Sequence, residues 1–179
     1  GVTGVQTCAL PILQERAGRG VAFADLDNDG DVDLVVNDLD GPPQLLRNDG
    51  GNANSFVTIR TIGVKSNRDG IGATVQISVG GQKRVQLVKS GSSYLSQSEL
   101  PLTFGLGATS VVDEIRVTWP GGKVDVATKV AADTTVTVRE GAGVVESRPI
   151  SRNGATATSA AAAQPPATNS RPPASGARR

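Results

Sequence analysis

Across 179 residues, 18 basic and 17 acidic side chains leave a formal net charge of +1, so the charge balance points neither to nucleic acid nor to an anionic membrane surface as a partner. Histidine is absent and Cys8 is the only cysteine, which excludes Ser–His and Cys–His nucleophilic sets, His- or Cys-based metal sites and an intrachain disulfide. No apolar run approaches the ~18 residues of a membrane-spanning helix.

Residues 1–12 carry neither a period-2 nor a 3.6-residue pattern. They resemble translated sequencing adapter and are set aside as a processing scar, together with Cys8. Residues 1–13 are therefore expected to be unstructured. The chain opens on Gly1 without a signal peptide, and a C-terminal fragment is expected. From Gly18 to about Glu140, short β-branched runs alternate with Gly, Asn, Asp and Pro clusters, the pattern of an all-β unit. Strands are predicted at 21–24, 34–37, 44–47, 56–61, 74–79, 84–89, 115–119, 124–127 and 134–139. In the fifth, Val75, Ile77 and Val79 point one way and the polar residues the other, as a sheet with one wet face requires. Gly80-Gly81 suits a hairpin turn, and Pro120-Gly121-Gly122 a second tight turn. No segment carries a helical stripe. After Gly143 the composition shifts to Ala, Ser, Thr, Pro and Arg, with little apolar area to offset the entropy of ordering. A disordered tail is predicted over 141–179.

The strongest chemical signal is Asp25-Leu26-Asp27-Asn28-Asp29-Gly30-Asp31-Val32-Asp33, set between two strand-like runs. A hard cation such as Ca²⁺ takes ~6–8 oxygens, and carboxylates at alternating positions of a tight loop can converge on one point. Asp25, Asp27, Asp29 and Asp33 are expected to supply side-chain oxygens and Asp31 its carbonyl, with Gly30 making the turn. An EF-hand would need a bidentate acid at loop position 12, where this chain has Val36, and its flanks would be helices. The bland alternative is a solvated acidic turn. Five carboxylates in nine residues repel one another unless a cation neutralises them, so metal is the expectation, with Ca²⁺ favoured over the stricter octahedral Mg²⁺. The loop resembles the FG-GAP/VCBS repeats of integrin-type propellers. The Asx-Gly clusters 37–41 and 48–51 are expected to be turns that cap their own backbone.

Four further blocks resemble the ASPIC/UnbV domain: Ser66-Asn67-Arg68-Asp69-Gly70-Ile71-Gly72-Ala73, Gly91-Ser92-Ser93-Tyr94-Leu95-Ser96-Gln97-Ser98, Phe104-Gly105-Leu106-Gly107 and Trp119-Pro120-Gly121-Gly122. In that family the domain follows a set of FG-GAP/VCBS repeats. The resemblance implies that residues 14–50 are the last repeat, a partial blade of a β-propeller, and that 51–140 form a small antiparallel β-sandwich-like ASPIC/UnbV domain. Trp119 and Tyr94 are expected to pack on the core. The polar loops, Ser66 to Asp69 and Ser92 to Gln97, fit either glycan or peptide recognition or a self-bonded network.

The function expected is that of a non-enzymatic, calcium-binding, extracellular adhesion or scaffold module, secreted or at the cell surface, with an extracellular protein or glycan as partner. Weak calcium sites are useful where calcium is plentiful. The alternative is a carbohydrate-binding module or an accessory domain of a secreted glycan-active enzyme. A glycosidase itself would need two carboxyls ~5–10 Å apart in different environments, and Asp25 to Asp33 are too crowded and alike.

Overall fold

A computed structural model describes residues 17–27, 29–48 and 54–150. The adapter-like 1–13 and the tail beyond Ile150 lie outside the described residues. The described chain is all-β: β1 Gly18–Ala24, β2 Asp33–Asp38, β3 Gln44–Leu46, β4 Ser55–Ile62, β5 Thr74–Val79, β6 Gln82–Leu87, β7 Leu102–Gly107, β8 Val111–Thr118, β9 Val124–Ala131, β10 Thr134–Arg139 and β11 Gly143–Pro149. Every predicted run overlaps one of these strands, and no helix occurs among the described residues.

The strands make three sheets, ordered β1-β2-β3, β11-β10-β4-β7 and β6-β5-β8-β9. The two four-stranded sheets close on one apolar core. Val75 faces Val117 and Ile77 faces Ile115 across the β5–β8 ladder, and these meet Val57, Ile59, Phe104, Leu106, Val136 and Val138 from the other sheet. Each such side chain contributes ~1.5–3 kcal/mol relative to leaving it in water. Trp119 joins this core, as expected, and its indole Nε1 donates to Asp125 Oδ2 at 2.7 Å.

Four expectations need correction. The sandwich is not wholly antiparallel, because β4 and β10 run parallel, Val57 opposite Thr134 through Ile62 opposite Arg139. The whole of the β6-β5-β8-β9 sheet lies between them in sequence, so the chain returns to β4 in its original direction. Strand β7 was not predicted, because its two glycines weaken the strand pattern, although Phe104 and Leu106 are buried. The start of the predicted tail is a strand: β11 adds to the edge of β10, Thr134 opposite Pro149 through Arg139 opposite Gly143. All but the first of its residues are exposed, so backbone hydrogen bonds rather than a buried face define it, and no alternation announces them. Tyr94 is 61 % exposed, because Tyr94-Leu95 forms the tip of the Ser93–Ser96 bridge, with Leu95 at φ 46°.

The β1-β2-β3 sheet is apolar on both faces. Register places Val21 with Val36 and Phe23 with Leu34 and Leu46 on one side, and Val35 with Leu45 on the other. Phe23 stays 41 % and Leu45 59 % exposed.

Candidate metal centre

Strands β1 and β2 part at the Ala24–Asp33 pair, and the acidic loop spans the gap. Its conformation follows from short side-chain to backbone bonds. The Asp25 carboxylate accepts the N–H groups of Asp29 at 3.1 Å and Gly30 at 3.0 Å, and Asp29 Oδ1 accepts the Asp31 N–H at 2.9 Å. These bonds curl the chain round Asp25 as an Asx turn does. Gly30 takes φ 94° and lies against the Phe56 ring, where a Cβ would collide. The turn therefore needs glycine twice over, for its dihedral and for its contact with the sandwich.

This folding brings together one carboxylate oxygen each from Asp25, Asp27 and Asp29, all within 4.8 Å of one another. Two ligands of one Ca²⁺ at ~2.4 Å stand at most ~4.8 Å apart, so the set has the spacing and the hard-oxygen chemistry that such an ion takes. Asp31 is 5 % exposed. Asp33 lies outside the converging group. Its Oδ2 accepts the Leu26 N–H at 3.0 Å and its Oδ1 the Asn48 N–H at 2.8 Å, and at 1 % exposure it braces the loop base against the segment after β3. Arg47 approaches Asp27 at 3.7 Å in an exposed ion pair.

Glu99, which sequence reasoning passed over, stands beside this loop. It is half-buried, and its carboxyl lies above the ordinary carboxylate range, chiefly through desolvation, with the Asp25 charge adding to the rise and a hydrogen bond from the Asp25 backbone opposing it. A lone Glu at the end of a Ser-rich block carries no sequence signal for a neighbour in another sheet.

Residues 63–145 match the ASPIC and UnbV family. They form an ASPIC/UnbV domain. No curated protein sequence matches the chain. The four motif blocks all fall inside this span. Strand β4 lies just before it, yet supplies the ladder on which both β7 and β10 of the ASPIC/UnbV domain pair.

Two polar loops of the ASPIC/UnbV domain now have roles. The first is held by Glu140, whose Oε2 accepts three successive N–H groups, Val64 at 2.8 Å, Lys65 at 2.7 Å and Ser66 at 2.8 Å, while Oε1 accepts the Ser66 hydroxyl at 3.0 Å. The Ser66 N–H, with these neighbours, lowers the Glu140 pKa to about 2. This is a self-bonded network. The second loop meets the small sheet: Ser93 Oγ accepts the Val21 N–H and Ser98 Oγ the Phe23 N–H, each at 3.2 Å, and the Glu99 N–H donates to the Phe23 carbonyl at 3.0 Å. Between the two loops lies a cleft of about 570 Å³ whose walls include Arg60, Arg68, Asp69, Gln97 and Glu99.

Proposed function

We propose that this protein is a non-enzymatic, calcium-binding module of the extracellular space, in which an FG-GAP/VCBS-type repeat precedes the ASPIC/UnbV domain and the whole serves adhesion or scaffolding. The observation that carries the reading is the convergence of Asp25, Asp27 and Asp29 in a loop already curled by its own side chains. Bound Ca²⁺ would neutralise three crowded carboxylates and make the loop rigid. The two-sided apolar character of β1, β2 and β3 supports the repeat reading, because a propeller blade packs both faces on its neighbours. Secretion accords with weak calcium sites, which fill only where calcium is abundant.

Calorimetric titration of the protein with CaCl₂ tests this, and one binding event is expected, with Asp27→Ala abolishing it. No heat at millimolar calcium, together with an unchanged melting temperature, would end the metal reading. A second reading, recognition of a glycan or peptide, rests on the 570 Å³ cleft, a size typical of ligand sites, with Arg60 and Arg68 as its cationic side chains. Binding of an oligosaccharide panel that is lost in Arg60→Ala and indifferent to calcium would favour it.

A further inference from the structure

Strand β1 is an edge of its sheet, and an edge strand presents alternate N–H groups that need partners. Here those groups belong to Val21, Phe23 and Asp25. Each is met by a side chain from one short segment of the ASPIC/UnbV domain: Ser93 Oγ, Ser98 Oγ and the Glu99 carboxylate in turn. The Glu99 N–H returns a bond to the Phe23 carbonyl at 3.0 Å. The segment also packs against the strand closely, since a Cβ at Gly20 would collide with the Tyr94 carbonyl and the Ser96 side chain. Segment 93–99 thus acts as a polar clamp along β1.

The last rung of the clamp is the first residue of the acidic loop. The main-chain N–H of Asp25 is held by Glu99, while its carboxylate holds the N–H groups of Asp29 and Gly30. Where Asp25 sits therefore depends on the ASPIC/UnbV domain. We propose that Glu99 is a positioning residue for the cation loop, and that cation binding and closure of the 93–99 clamp on β1 are energetically coupled. The inference rests on the calcium reading above. Coupling is reciprocal: if the closed clamp pre-forms the loop, the cation tightens the clamp by the same factor.

The experiment uses the full chain and CaCl₂, with calorimetry for affinity, amide hydrogen exchange for the clamp and the near-UV signal of Trp119 as the test of folding. Glu99→Ala is expected to weaken calcium binding about tenfold, the usual scale of coupling between sites. Glu99→Gln, which keeps an oxygen acceptor for the Asp25 N–H, is expected to retain most of the affinity. In the wild type, calcium should slow exchange at Val21, Phe23, Asp25 and Glu99, and in Asp27→Ala it should not. Should Glu99→Ala fail the Trp119 test, the Ser93→Ala, Ser98→Ala double variant takes its place, with the same direction expected. Undiminished affinity in the clamp variants, or calcium binding that leaves those four amides unchanged, overturns the proposal and leaves the calcium reading standing. Equal loss in Glu99→Gln and Glu99→Ala also overturns it, since Glu99 would then act on the cation by its charge. A wild type that binds no calcium removes the reading beneath it.

Discussion

Glu140 holds the loop after β4 with a single carboxylate. Three successive N–H groups and a hydroxyl converge on it, so the ionised form is favoured and its pKa falls from 4.5 to about 2. A carboxyl depressed in the folded state stabilises the fold above its unfolded value, and that contribution is lost as pH falls from about 4.5 towards about 2. Glu140→Gln should therefore melt below the wild type near neutral pH, and the gap should close as the pH approaches 2 in parallel thermal scans. Trp119 makes a second residue-scale case. Its buried indole N–H donates to Asp125 Oδ2, which also accepts the Gly141 N–H at 2.8 Å. Asp125→Ala leaves both donors short of a partner and should cost ~1–3 kcal/mol in denaturant unfolding; Trp119→Ala, which empties part of the core, should cost ~3–5 kcal/mol.

Among the elements, β11 is the one whose boundary matters most. It covers the edge of β10, whose Val136 and Val138 are core residues, and the Ile150 N–H closes the end on the Asp133 carbonyl at 2.8 Å. A chain ending after Glu140 should melt lower and aggregate more readily than one ending after Ile150, because it leaves the edge of β10 open to pairing. Light scattering during thermal scans of the two truncations checks this. The β1–β2 turn gives a companion test. Gly30→Ala forces a Cβ into the Phe56 ring at a dihedral that disfavours it, and strain of this kind costs ~1–3 kcal/mol.

At the scale of the whole molecule, a small two-sided sheet is fastened to a sandwich by loops rather than by a shared core. Phe56 against Gly30, the serine and glutamate clamp along β1, and Asp33 bracing the base of the acidic loop together set where Asp25, Asp27 and Asp29 lie. Calcium at millimolar concentration should accordingly raise the melting temperature of the wild type and leave that of Asp27→Ala unchanged, as mass action requires of a ligand that binds only the folded loop.

The all-β class, the alternation of Val75, Ile77 and Val79, the turn at Gly30 and the spacing of Asp25, Asp27 and Asp29 could all be read along the chain, because each is set by neighbours one to five residues apart. Strand period and loop curvature are local properties. Other features depended on partners far away in sequence. The parallel pairing of β4 with β10 requires a return through the whole β6-β5-β8-β9 sheet, and β11 has no buried face to advertise it. Asp33 looked like its fellow aspartates until Asn48, from beyond β3, came to share its carboxylate. Glu99 had no visible connection to Asp25 until two sheets met. Identical side chains in one acidic run acquire different tasks because burial and hydrogen-bond partners, which only the folded chain supplies, differ from one to the next.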